Sequence, residues 1–191
     1  MSQYYFLVAS LPLLSYEQRD ATEPQEFLAL LAEHLSASDL ALVRNATIDP
    51  PEGTCASASP VIRAWTGFER GLRNGLVRLR AARLSTEPGH YLRPDENGDY
   101  GDTSAEIGEA AREAMAHDSP LSAEDTLNRA RWLFLDQLQV GHYFDLEHIA
   151  VYYLRLQIHA RRRRFDHDQG QARFARISDQ IMNDYYQEHS E

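Results

Sequence analysis

The sequence predicts a mainly α protein, a helical bundle of about six or seven helices. Three observations predict it. Apolar residues recur at steps of three and four in segment after segment, the spacing that lines one face of a helix. Serine, aspartate and proline stand where those segments open, as caps and first turns require. No alternation of strand-like runs with helices is visible, which leaves a parallel α/β sheet without support. The 191 residues read as a single helical domain over 1–191, with a loop-rich acidic segment at about 86–103.

The elements follow in order. Tyr4-Tyr5-Phe6-Leu7-Val8-Ala9-Ser10-Leu11 carries aromatics and a β-branched residue and stops at Pro12. It reads as one short N-terminal strand, with a helical turn as the alternative. Pro24, Glu23 and Glu26 suit the first turn of a helix over 24–35, whose face is Phe27, Leu28, Leu31 and Leu35. Ser36 caps the next helix, with Asp39 in the capping-box position and Leu40, Leu42 and Val43 as the apolar face. Asp49-Pro50-Pro51-Glu52-Gly53 ends it.

The helix at 61–84 is the clearest of the first half. Trp65, Phe68, Leu72, Leu76 and Leu79 fall within about 80° of one another around it, and Arg63, Arg70, Arg73 and Arg80 point away. Gly71 and Gly75 cost roughly 1 kcal/mol each relative to alanine; they permit close approach of another helix or are simply tolerated. After the loop comes a modest helix at 104–117, broken by Ser119-Pro120. Ser122-Ala123-Glu124-Asp125 repeats the Ser-Ala-x-Asp pattern of 36–39, and two independent helix caps explain it better than a duplication. A helix at 123–140 carries Leu127, Ala130, Phe134 and Leu138, with Gly141 as its C′ residue. Asp145 caps a helix at 146–165, and the short connection makes the two antiparallel. Asp166-His167-Asp168-Gln169-Gly170 breaks the chain before a last helix at 171–187, with Phe174, Ile177, Ile181 and Tyr185 in line.

Composition excludes several functions. The chain has 29 acidic and 19 basic residues, a net charge of −10, and no lysine. Lysine nucleophiles, Schiff bases and P-loops are therefore out, and a free-standing nucleic-acid binder is not expected. The charge is uneven. Residues 61–93 hold 7 arginines and 2 acids, whereas 94–128 hold 10 acids and 1 arginine. One cysteine, Cys55, allows no intrachain disulfide. No apolar run reaches the length of a bilayer span, and the N-terminal run lacks a preceding positive charge. A cytoplasmic protein without direct membrane insertion is the expectation.

Asp95, Asn97, Asp99 and Glu106 take positions 1, 3, 5 and 12 of an EF-hand loop, but Tyr100 stands where glycine must turn the chain, so an acidic loop is the better reading. His142, Asp145, Glu147 and His148 lack metal-binding spacing, and His159 is three helical turns from His148. No catalytic motif is present, and no metal, cofactor or catalytic residue is expected. Arg161-Arg162-Arg163-Arg164 points all around its helix, near a C-terminus whose dipole favours cations.

Several segments carry a resemblance. They are Tyr4-Tyr5-Phe6-Leu7-Val8-Ala9-Ser10-Leu11-Pro12, Phe68-Glu69-Arg70-x-Leu72-Arg73-Asn74, Arg131-Trp132-Leu133-x-Leu135-Asp136, Phe144-Asp145, and Tyr152-Tyr153-Leu154-Arg155-Leu156-Gln157-Ile158. Together they resemble an uncharacterised bacterial family encoded in V/A-type ATPase operons. That family is itself similar to the C-type component of these rotary ATPases, the helical funnel between the central stalk and the membrane ring. Other members have lysine in the helix at 152–158 where this chain has Arg155. The funnel component is a longer helical chain without enzymatic residues, so no catalytic site transfers. The resemblance implies a non-enzymatic accessory or C-like stalk component whose partners are other ATPase subunits. The alternative is a free-standing helical adaptor or regulator. Arg63, Arg70, Arg73 and Arg80, with Arg161, Arg162, Arg163 and Arg164, are the expected partner-binding residues.

Overall fold

Helices appear where capping side chains and apolar stripes coincide. The computed structural model describes residues 4–18, 20–50, 58–95 and 97–164. Among these there are seven α-helices and no strand: α1 (Tyr5–Ser10), α2 (Pro24–His34), α3 (Ala37–Arg44), α4 (Pro60–Leu84), α5 (Ala105–Ala116), α6 (Pro120–Leu138) and α7 (Leu146–Arg164). Cys55 and the predicted helix at 171–187 lie outside the described residues.

Two element assignments change. The N-terminal run is a helix, α1, and not a strand. A strand needs a neighbour to take its backbone hydrogen bonds, and no strand exists among the described residues to supply one. The helix satisfies its own, with Val8 N donating to Tyr4 O and Leu11 N to Val8 O. The second change is at α6, which opens a turn earlier than 123. Ser119 is its cap, its Oγ accepting from Ser122 N, and Pro120 occupies the first turn, where its missing N–H costs nothing. Of the two Ser-Ala-x-Asp sequences only the first caps a helix. There Ser36 Oγ accepts from Asp39 N at 3.2 Å, and the Asp39 carboxylate accepts from Tyr4 OH at 2.9 Å, tying α3 to the start of α1.

Pairings along the helices fix the topology. Arg155 meets Asp136, His159 meets Trp132 and Arg162 meets Asp125, so α6 and α7 run antiparallel. Phe68 stacks on Phe134 with ring centres 4.1 Å apart, and Glu69 pairs with Arg131, so α4 and α6 also oppose each other. Helix α7 packs against α2, α3, α4 and α6. That is why it is buried nearly all round: Ile149, Val151, Leu154, Leu156 and Ile158 are all inaccessible to solvent. One continuous core joins residues of all seven helices.

The acidic loop is pinned along α4 and does not project from it. Buried Asn74 donates through Nδ2 to Arg93 O (3.0 Å) and Tyr100 O (2.9 Å) and accepts through Oδ1 from Arg93 N (2.9 Å). Asp102 N donates to Gly67 O. The loop backbone lies so close that a Cβ on Gly71 would stand 1.9 Å from Asp102 O. Gly71 thus admits a loop, not the helix expected there; it is Gly75 that faces a helix, with Ala111 of α5 at 3.6 Å. The loop's acids serve its own turns. Asp95 Oδ1 accepts from Asn97 N and Asp99 N, and the Asp99 N–H foremost holds that carboxyl below its ordinary range. Having returned along α4, the chain enters α5 parallel to it.

Candidate interaction surface and an ion-pair ring

Six charged side chains close a ring in which acids and arginines alternate. Glu69 on α4 receives Arg131 of α6 at 2.5 Å and Arg73 of its own helix at 3.3 Å. Arg73 reaches Asp49 at 2.7 Å, and Asp49 meets Arg161 of α7 at 3.5 Å. Arg161 then meets Glu124 of α6 at 2.8 Å, and Glu124 returns to Arg131 at 3.2 Å. The ring fastens α4, α6, α7 and the segment before α4 at one level of the bundle.

Each member is held by local structure. Glu69 is four residues after Trp65 and three before Leu72, so it lies on the apolar stripe and is wholly buried. Arg131 sits between Leu127 and Leu135 in the same way and is 4% exposed. Its guanidinium also donates to Asn128 Oδ1 at 3.1 Å. Burial opposes the Arg131 charge, but Glu69 and then Glu124 more than restore it, so its pKa stands above the ordinary arginine value. Asp49 is placed by the short segment before it, where Gln157 donates to Ala46 O and accepts from Ile48 N while Trp65 Nε1 donates to Thr47 O. A second pair, Arg155 with Asp136 at 2.5 Å, lies beside it, with the Arg155 guanidinium over the Trp132 ring. Sequence reading missed Glu69, Asn74, Arg131 and Arg155 as buried polar groups. The available signal was a polar residue falling inside an apolar stripe.

The eight arginines expected to bind a partner divide into two groups. Arg70 approaches Asp95 of the loop at 3.7 Å, and Arg73 and Arg161 belong to the ring. Arg162 lies over the Tyr16 ring at 3.9 Å, donates to Tyr16 O and pairs with Asp125. Arg163 pairs with Glu23 at 2.6 Å. These five are engaged within the chain, as is Arg63, whose Nη1 donates to Ala58 O at 2.8 Å. Arg63, Arg80 and Arg164 are exposed.

The polar residues around 142–148 cap helices. Asp145 accepts from His148 N at the start of α7 and pairs with His142 at 2.6 Å, and Glu147 accepts from Ser59, the cap of α4. Among the described residues no three histidine, cysteine or carboxylate groups converge as a metal would need. Aromatic residues instead gather at the surface where α1 meets the start of α7. Tyr5 lies 4.7 Å from Phe144, and Phe6, 81% exposed, stands edge-on to Tyr5.

A family model described as "Protein of unknown function (DUF2764)" matches residues 55–185. The chain belongs to that family. In this DUF2764 protein the match takes in α4 to α7 and so contains every ring member except Asp49. No curated protein and no solved structure matches it.

One buried group gives the DUF2764 chain a pH dependence. His159 is 2% exposed and edge-on to Trp132, and its Nε2 has no hydrogen-bond partner. Burial first, then the charges of Arg162 and Arg163, push its pKa down to about 4 from 6.5. Between those values the unfolded chain binds the extra proton and the folded chain does not. Stability is therefore complete above the unfolded pKa and falls as pH drops toward 4, by up to about 3 kcal/mol. Urea midpoints of the wild type and of His159→Phe, compared between about pH 7 and about pH 4.5, check this. The wild type is expected to lose more than the variant across that range, and equal losses contradict the assignment.

Proposed function

We propose that this protein is a non-enzymatic accessory or C-like stalk component of a bacterial V/A-type ATPase, acting through contacts with other ATPase subunits. The observation that carries the reading is the meeting of two resembling segments at the surface. Residues 4–12 and 144–145, far apart in the chain, join in the exposed cluster of Tyr5, Phe6 and Phe144. Exposed aromatic groups around a rigid scaffold are what a protein partner buries. The ion-pair ring near the other end of α7 fastens α4, α6 and α7 together, which suits a part that transmits or resists force. The exposed Arg80 and Arg164 complement an acidic neighbour. No helix among the described residues is long and apolar enough to cross a membrane, and the association proposed is peripheral, through the other subunits.

Affinity purification of the tagged protein from native membranes, with the bound subunits identified, tests the proposal. V/A-type ATPase subunits are expected with the wild type. Phe6→Ser, or joint reversal of Arg80 and Arg164 to glutamate, is expected to reduce recovery at least about tenfold while leaving the fold intact. Recovery of no ATPase subunit by the wild type overturns the reading in favour of a free-standing adaptor.

A further inference from the structure

Helix α5 has two unlike flanks. On one, Gly108, Arg112 and Met115 fall within about 60° of one another and border a groove against α4. The groove consists of two adjoining cavities of about 230 and 240 Å³ that share Leu79 and Arg112, and Arg78 and Arg83 of α4 line its far side. On the other flank Glu106, Glu109 and Glu113, all exposed, also fall within about 60° of one another. Exposed Ala105 and Ala116 lie on the crest between the two flanks.

Among the described residues, none of these three arginines and three glutamates has an oppositely charged group within ion-pair distance. The rest of the molecule differs, because the arginines of the ring and both Arg162 and Arg163 of α7 have acidic partners. Within one chain the two sets do not meet. The Arg112 guanidinium lies back over Gly108, where a Cβ would stand 3.3 Å from its Nη1. The Arg78 guanidinium lies 5.8 Å over the Tyr100 ring.

A two-fold axis along the crest of α5 exchanges the flanks. The basic flank of each copy then faces the acidic flank of the other at the same height. Arg112 comes level with the partner's Glu113 and about one turn from the partner's Glu109. Helices α4 and α5 run parallel with Gly75 beside Ile107 and Ala111, which puts Arg78 and Arg83 within about one turn of the level of Glu113. A foreign acidic partner answers the arginines and leaves the glutamates unpaired. A second copy answers both.

We propose that two copies of this chain associate through their α4–α5 faces about a two-fold axis along α5, with Arg78, Arg83 and Arg112 of each pairing with Glu109 and Glu113 of the other. The same contact shields Leu79 and Met115 in the groove from water. Its ion pairs lie near the surface, so the association is reversible and weakens as salt rises. The proposal is independent of the ATPase reading.

Sedimentation equilibrium of the full chain at low salt tests it. The wild type is expected to form dimers. Joint Arg78→Glu, Arg83→Glu and Arg112→Glu, or joint Glu109→Arg and Glu113→Arg, is expected to raise the dimer Kd at least about tenfold. An equimolar mixture of these two variants is expected to restore association, because every altered set then faces a set of opposite sign. Thermal melts confirm that each variant folds. Disulfide trapping gives a second reading without charge changes. In a Cys55→Ser background, Ala116→Cys lies on the axis and is expected to form a dimer about tenfold faster than Tyr143→Cys, an exposed control in the α6–α7 turn. A wild type that stays monomeric up to about 1 mM overturns the proposal. So does association that both charge reversals leave unchanged, a mixture that stays monomeric, or equal trapping at the two cysteines.

Discussion

Replacing Glu69 by alanine is expected to lower the free energy of unfolding by about 3–5 kcal/mol, a large share of the stability of an ordinary domain. Glu69 is wholly buried and takes both Arg131 and Arg73. Removing it leaves the Arg131 guanidinium, 4% exposed, with Glu124 as its remaining carboxylate at 3.2 Å. A buried charge that has lost its closer partner is only partly compensated, and in a low-dielectric site that costs more than the attraction itself was worth. The pair as a whole is another matter. Desolvating two ions consumes most of what their attraction returns, so Glu69→Leu combined with Arg131→Leu is expected to recover part of the single-mutant loss, with a coupling of about 1–3 kcal/mol. Equilibrium urea unfolding of the two single variants and the double variant measures this. Additive losses would show that the ring is not a coupled unit.

Three glycines of α4 are expected to respond to the same substitution with opposite signs. At Gly71 a Cβ would stand 1.9 Å from Asp102 O and 2.8 Å from Asp102 C, both backbone atoms that cannot swing aside. The loop must leave α4, and with it go the three hydrogen bonds that Asn74 makes to Arg93 and Tyr100. Gly71→Ala is therefore expected to cost about 2 kcal/mol or more, after the roughly 1 kcal/mol that alanine gains in a helix. At Gly67 nothing lies within 4 Å, and at Gly75 the nearest atom is Ala111 Cβ at an ordinary 3.6 Å. Gly67→Ala and Gly75→Ala are expected to be neutral or stabilising by up to about 1 kcal/mol. Denaturation midpoints read the sign directly, and a stabilised Gly71→Ala would mean that the loop does not pack on α4.

Both effects lie at positions where the local pattern is ambiguous. Ser36, Ser59, Ser104 and Asp145 cap helices through bonds to residues three positions away, a distance set by the chain itself. Trp65, Phe68, Leu72 and Leu76 are buried together because helical periodicity places them so. The helices and their apolar faces could therefore be read from the sequence. For the same reason Gly71 and Gly75 were recognisable as costly, though what approaches them was not.

The ring was out of reach. Asp49 and Arg161 are separated by 112 positions, and Glu69 and Arg131 by 62. Which acid each arginine meets depends on the return of the loop along α4 and on the antiparallel seating of α6 and α7. Coulomb attraction follows distance in space, and a guanidinium on an exposed-looking helix end has many candidate partners until the helices are docked. The N-terminal run shows the same division. Its apolar residues announced an ordered segment, of which Val8 alone is buried within α1, but whether it became strand or helix turned on whether a neighbouring strand existed to share its hydrogen bonds. By itself the sequence determined the helical class, the stripes and the caps at Ser36 and Asp145, because these rest on interactions within a few residues. Only the tertiary structure decided which charges pair, which glycine is indispensable and which arginines remain on the surface, because each depends on groups brought together by the packing of the whole chain.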